Sequence, residues 1–161
     1  MKLNEEGGCF TRFLLLEKIM SINTVPASRV TPEKIERLGE REIFVFGSSL
    51  MGVHFGDAAR VAYDKFGAGG VSEGLKGSTY AIPVVRAGID MVKPHIEAFL
   101  SFARSHTEYR FFVTRIGCGI AGFTDEDIAP LFAVAVGMEH VTLPASFWEV
   151  LQRKGLYVPH I

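Results

Sequence analysis

Hydrophobic positions along the chain alternate between short apolar runs and longer segments in which they recur at helical spacing. Residues 43–46 are a continuous run of β-branched and aromatic side chains, which predicts a central strand covered on both faces. Residues 57–66 place apolar side chains on one face of a predicted helix. Further strands are predicted at 79–82, 110–115 and 141–143, and further helices at 32–38, 94–106, 125–136 and 146–154.

Capping residues and prolines set the predicted helix ends. Thr31 is suited to cap a helix whose first position is Pro32, Pro94 fits the first turn of another helix, and Ser146 is suited to cap the last one. Residues 67–77 are rich in glycine and are predicted to form a surface connection. Because strands alternate with helices, the sequence favours an α/β fold, a three-layer α/β/α sandwich with a mostly parallel central sheet.

Length and charge narrow the class of protein. A chain of 161 residues is about one domain long, and we predict a single domain at 30–161 preceded by an appendage at 1–29. For the appendage, disorder and a non-native start upstream of Met20 are both open. The hydrophobic content of 48% is typical of a globular protein, and the net charge of −1 provides no general attraction to nucleic acid or to a membrane. We therefore expect neither as a partner.

The two cysteines, Cys9 and Cys118, are far apart and lack a partner at metal-ligand spacing. No metal and no other cofactor is predicted, and this cysteine content favours a reducing, cytoplasmic compartment. The apolar run at 13–16 is too short to span a membrane or to form the core of an export signal. Cys118 lies between two glycines, where a packing or ligand-facing role and a reactive thiol are alternatives.

A first glycine-bearing loop connects the strand at 43–46 to the helix that begins at Asp57. Gly47, Gly52 and Gly56 allow positive φ and close backbone approach, an arrangement that turns amides toward an anion such as phosphate. Asp57 either caps the helix or accepts a hydrogen bond from a ligand hydroxyl. His54 is a candidate for phosphate or ribose binding or for proton exchange, with a solvent-facing histidine as the alternative. The spacing matches neither a Walker loop nor a dinucleotide fingerprint.

A second loop of small residues, 117–122, follows the strand predicted at 110–115 and precedes the acidic start of a helix at Asp125. Backbone amides therefore gather again at the end of a strand. Two such loops predict one cleft of nucleotide size.

The two loops together resemble those of the macro domain, a family that binds ADP-ribose between two glycine-rich loops of an α/β sandwich. GSSLMGVHFGDAAR at 47–60 is similar to the family's first loop, and GCGIAGFT at 117–124 is similar to its second. The segment LKGSTYAIPV resembles an intervening strand of the family. The chain also looks like a group of bacterial and phage proteins with FGSNLxGxHGxGAA and IGCGIAG motifs, a likeness that implies the fold and the cleft.

The resemblance implies a cleft that binds a small-molecule nucleotide such as ADP-ribose. In this interpretation the first-loop amides and His54 hold one end of the ligand, the second loop surrounds a phosphate, and Phe123 stacks on a base or ribose. Arg115 pairs with phosphate or forms a surface ion pair. Asp57 and His54 are the candidate catalytic residues. The candidate ligand-binding residues are Gly47, Ser48, Ser49, Gly52, Gly56, Arg115, Gly117, Cys118, Gly119, Ile120, Ala121, Gly122 and Phe123.

Catalysis is left open by the same comparison. Gly47 stands where the family usually has an asparagine that helps to place the distal ribose in its hydrolytic members. Hydrolysis of an ADP-ribosyl or phosphate ester bond and a non-enzymatic module that senses a nucleotide or docks a partner are therefore alternatives. A cysteine hydrolase that uses Cys118 is a third, and the sequence is compatible with a homo-oligomer.

Overall fold

The computed structural model describes residues 25–48, 57–69, 72–84, 88–118 and 122–157. The strands are β1 Glu42–Ser48, β2 Gly74–Lys76, β3 Thr79–Pro83, β4 Arg110–Val113 and β5 Val141–Thr142. The α-helices are α1 Asp57–Phe66, α2 Ile89–Ser105, α3 Asp125–Ile128 and α4 Ala145–Arg153. Two 3₁₀ helices span Ala27–Arg29 and Ala129–Gly137. Within the described residues, the helices are too short or too polar for any of them to cross a membrane.

The five strands form one sheet in the order β2-β3-β1-β4-β5, parallel except for β2, which pairs with β3 in the antiparallel sense. The chain moves from β1 to β3 on one side and then returns across β1 to β4 and β5 on the other side. Right-handed crossovers then require α1 on one face of the sheet, and α2 and the 3₁₀ helix at 129–137 on the opposite face. The packing of the helices agrees with this arrangement.

Two apolar clusters lie on the two faces. The larger contains Val45, Ile82 and Phe111 of the sheet, packed against buried side chains of the helices that follow β3, β4 and β5. The smaller contains Phe44 and Phe46, which pack against α1. Alternate residues of β1 thus point into different clusters, as expected of a central strand buried on both faces. The predicted three-layer, mostly parallel α/β fold is confirmed.

The helix predicted at 32–38 is wrong. Thr31 does not cap a helix, because its hydroxyl lies 2.8 Å from the Thr142 hydroxyl and its amide donates to the Leu143 carbonyl at 2.9 Å. Val30 forms a parallel bridge with Leu143, so this part of the chain is held beside β5. Residues 32–38 have irregular backbone, from which Ile35 packs against the smaller cluster.

Other predicted elements differ in their bounds. Helix α2 begins at Ile89, ahead of Pro94, which therefore lies inside the helix. Pro144 rather than Ser146 precedes the first residue of α4. Strand β4 ends at Val113, and the helix predicted at 125–136 is a single α-helical turn followed by the 3₁₀ helix. The glycine-rich connection contains β2, which the sequence did not predict.

The end of the predicted appendage contacts the domain through Arg29. Its Nη2 donates to the Ala135 carbonyl at 2.9 Å, its Nε donates to the Val141 carbonyl at 3.2 Å, and both Nη atoms lie 3.3 Å from the Val136 carbonyl. The guanidinium carbon lies 5.3 Å from the centre of the Trp148 ring. Through Arg29, residues 25–29 thus provide hydrogen-bond donors to carbonyls at the carboxyl end of the 3₁₀ helix at 129–137.

Candidate functional site

The topology predicts a crevice at the carboxyl ends of β1 and β4. These two strands are neighbours and parallel, but the helices that follow them pack on opposite faces of the sheet. The connections therefore diverge at this point, which is where ligands bind in open parallel α/β sheets. Both glycine-bearing loops predicted from the sequence begin here, one after Ser48 and the other after Val113.

Gly47, near the carboxyl end of β1, is closely packed against apolar side chains. A Cβ added at Gly47 would lie 3.0 Å from Cγ2 of Val84 and 3.5 Å from Cγ2 of Ile116. The first distance is tighter than ordinary van der Waals contact, so the strand end has little room for a side chain at this position. Gly47 therefore fits closely between its neighbours, Val84 after β3 and Ile116 after β4.

The second loop is closed by a backbone hydrogen bond and depends on two glycines. Phe123 N–H donates to the Gly117 carbonyl at 2.9 Å. Gly117 has φ +78° and Gly122 has φ +82°, in the left-handed region that side chains disfavour. A Cβ at Gly117 would lie 3.2 Å from Phe123 and 3.3 Å from Ile128, whereas no atom of the described residues lies within 4 Å of one at Gly122. Gly122 therefore faces open space as far as the described residues extend, and Phe123 packs against the larger cluster.

Arg115 forms a bidentate ion pair with Asp125. Nε lies 3.0 Å from Oδ1 and Nη2 lies 2.8 Å from Oδ2. The Asp125 carboxylate also accepts a hydrogen bond of 3.0 Å from the Ser146 hydroxyl, which connects it to α4. Burial alone would raise the pKa of Asp125, but the hydrogen bonds from Arg115 and Ser146 outweigh burial and hold the pKa below its ordinary value.

The Cys118 thiol is half-buried against the same carboxylate. Its Sγ lies 3.5 Å from Oδ1 of Asp125 and 3.6 Å from the Ile116 carbonyl oxygen. Burial, together with the negative charge of Asp125, raises the pKa of Cys118 to about 12. The thiol is therefore protonated at neutral pH, which argues against a thiolate nucleophile and favours the packing role.

The start of α3 is occupied by its own capping interactions. Thr124 Oγ1 accepts a hydrogen bond from the Asp127 amide at 3.3 Å, and the Asp127 carboxylate accepts one from the Thr124 amide at 3.0 Å. This capping box uses donors that an anion would need, and Glu126 and Asp125 add negative charge to the same turn. A phosphate in the crevice would therefore have to use the loop rather than this helix end.

The structure describes the remaining predicted residues to different extents. Ser48 is buried, and its hydroxyl donates to the Ser72 carbonyl, so that contact ties the end of β1 to the segment before β2. Asp57 begins α1, and its side chain lies outside the described part of the structure. The others lie outside the described residues and stay predictions: Ser49, Gly52, His54, Gly56, Gly119, Ile120 and Ala121.

Sequence reasoning did not find three residues that shape the site. Val84 and Ile116 pack closely around Gly47, and Asp125 was assigned only to a helix start although it binds Arg115 and Ser146. The acidic residue ten positions after Arg115 was visible in the sequence, but nothing local indicated that the two side chains would meet. In the described part of the chain, no group of three His, Cys, Asp or Glu side chains is placed to hold a metal ion.

A surface cavity of about 380 Å³ lies elsewhere, beside the amino end of β5. Arg104, at the end of α2, and His140, just before β5, are among the residues that line it. It is therefore at the end of the sheet opposite the crevice and contains none of the residues predicted for binding.

The fold and the crevice define this chain as a doubly wound α/β protein with a candidate ligand site at the switch in strand order. Comparisons with models of known protein families, with curated proteins and with solved structures found no match.

Proposed function

We propose that the crevice at the carboxyl ends of β1 and β4 binds ADP-ribose or a related nucleotide. The observation that supports this most directly is the divergence of the connections after these two adjacent parallel strands, each of which begins a glycine-bearing loop. The two positive-φ glycines of the second loop add support, because they allow backbone close to a ligand. The resemblance of both loops to those of the macro domain supports the class of ligand.

Binding without catalysis is the simpler form of this proposal. The protonated Cys118 thiol supplies no nucleophile, and Arg115 is paired with a carboxylate in the described structure. Hydrolysis would depend on Asp57 and His54, and it is a separate proposal with its own test. A module that senses a nucleotide or docks a partner remains the alternative.

Calorimetric titration of the full chain with ADP-ribose, AMP and a nonhydrolysable ADP-ribose analogue tests binding. We expect Gly122→Glu to abolish it, because the new side chain would enter the open side of the loop with a negative charge. Gly155→Glu is the matched control: its φ is +70° and no described residue comes within 4 Å of its added Cβ, so it carries similar backbone strain outside both loops.

The wild-type chain is expected to bind ADP-ribose, and Gly155→Glu is expected to bind like the wild type. Absence of binding to all three ligands, or equal binding by Gly122→Glu, would refute the proposal. Product analysis after incubation with ADP-ribosylated substrate, with Asp57→Ala as the inactive reference, separates the two forms. Binding without product formation would support the sensing module and remove the hydrolase.

A further inference from the structure

The Asp125 carboxylate lies beside hydrogen-bond donors of three residues, two in the segment after β4 and one in α4. Two come from the Arg115 guanidinium at 3.0 and 2.8 Å, one comes from the Ser146 hydroxyl of α4 at 3.0 Å, and the Cys118 thiol lies at 3.5 Å. The Asp125 side chain is 23% exposed, whereas that of Arg115 is 57% exposed. The acidic partner is therefore the fixed part of the pair, and the guanidinium is the part that solvent or a ligand can reach.

The pairing leaves much of the guanidinium available. Asp125 uses the Nε donor and one Nη2 donor, so three of the five N–H donors of Arg115 are not engaged by it. A bidentate pair also fixes the plane of the guanidinium, since two parallel hydrogen bonds allow one orientation. A ligand that contacts Arg115 would then meet a side chain that has already lost most of its rotamer freedom.

We propose that Asp125 and Ser146 are positioning residues that hold Arg115 oriented for a phosphate group of the nucleotide. This inference rests on the proposed function of the crevice. Ser146 acts through Asp125, because its hydroxyl connects the carboxylate to α4 and so fixes the position of the ion pair relative to the loop after β4.

Asp125 also has an effect on Arg115 that would weaken phosphate binding. A carboxylate next to Arg115 also neutralises the cation and competes with phosphate for its donors. If competition dominates, removing the negative charge strengthens nucleotide binding. If orientation dominates, removing it weakens binding.

Titration calorimetry with ADP-ribose on the full chain distinguishes these effects. We expect Asp125→Asn to weaken binding about tenfold, the loss typical of a charge-assisted contact, and Ser146→Ala to weaken it by about threefold. Arg115→Gln should weaken binding at least as much as Asp125→Asn. The double variant Arg115→Gln/Asp125→Asn should bind no more weakly than Arg115→Gln alone, because a positioning residue has no effect once the positioned group is absent.

Glu126→Gln is the matched control. It removes the same charge from the neighbouring residue of the same helical turn, but its carboxylate pairs with Arg153 and Lys154 instead of Arg115. We expect its affinity to stay within about twofold of the wild type, since its exposed carboxylate pairs with Arg153 and Lys154 and exposed charges are screened by salt. Thermal unfolding of each variant identifies any that does not fold, and Ser146→Ala tests the network without a change of charge.

Three results would overturn the inference while the proposed function stands. They are unchanged or tighter ADP-ribose binding by Asp125→Asn, an equal loss by Asp125→Asn in the presence and absence of Arg115, and an equal loss by Glu126→Gln. A wild-type chain that does not bind ADP-ribose would instead refute the proposed function, and this inference with it.

Discussion

Replacing Arg29 with alanine should destabilise the whole domain, although the sequence places this residue in an appendage. The guanidinium donates to the carbonyls of Ala135, Val136 and Val141, which belong to the carboxyl end of the 3₁₀ helix and to β5. It also lies 5.3 Å from the Trp148 ring. At about 1 kcal/mol for each of the three part-buried carbonyls that lose their donor, the expected loss is about 3 kcal/mol, and the partly exposed cation–π contact adds less than about 1 kcal/mol.

Urea unfolding followed by Trp148 fluorescence measures this loss. With a slope of about 1.5 kcal/mol per molar urea, the midpoint should fall by about 2 M. Arg29→Lys should recover only part of the loss, because an ammonium group does not provide the planar set of donors. The exposed Arg37→Ala is the control and should change stability by less than about 0.5 kcal/mol. A loss below 1 kcal/mol for Arg29→Ala would refute the reasoning that residues 25–29 are an integral part of the folded domain.

Three further predictions concern the second loop and the Arg115–Asp125 ion pair beside it. Gly117→Ala should lower the free energy of unfolding by about 3 kcal/mol, because a Cβ would be strained at φ +78° and would press on the side chains around it. Gly137→Ala should be nearly neutral, because none of the described atoms lies within 4 Å of its added Cβ. In a Cys9→Ser background, iodoacetamide at pH 8 should alkylate Cys118 at least about 100-fold more slowly than a small free thiol, because a pKa raised to about 12 leaves very little thiolate at this pH; comparable rates would contradict the burial argument. Because the folded pKa of Asp125 is lowered, its contribution to stability is present above about pH 4 and is lost as pH falls through the folded pKa. The stability difference between wild type and Asp125→Asn should therefore shrink between about pH 7 and pH 3, and a constant difference would contradict the assignment.

Patterns that are local in sequence predicted the central part of the fold well. The helix at 57–66 was predicted with the bounds that α1 has, and the apolar run at 43–46 lies within β1. The strand at 79–82 was likewise found in β3. In each case the spacing of apolar side chains reports directly on burial of one or both faces, so a window of several residues carries the necessary information.

Local capping signals predicted the wrong role where a side chain had a hydrogen-bond partner far away in the sequence. Thr31 and Pro32 are suitable residues for a helix start, yet Thr31 pairs with Thr142 and Leu143 beside β5. Ser146 is a suitable helix cap, yet its hydroxyl donates to Asp125. A cap is worth about 1 kcal/mol, so a tertiary hydrogen bond in a protected position can replace it.

The candidate site likewise combines features that are local in the sequence with contacts between residues that are far apart in it. By itself the sequence determined that two glycine-bearing segments follow apolar strands, because strand signals and small residues are local features of the chain. The binding roles of many residues in these segments stay predictions, since 49–56 and 119–121 lie outside the described structure. Only the tertiary structure decided that β1 and β4 are neighbours, that Arg115 meets Asp125, and that Arg29 belongs to the folded domain. Residues that meet across separate helices and strands have no fixed spacing in the chain, and so no periodic pattern predicts their contacts.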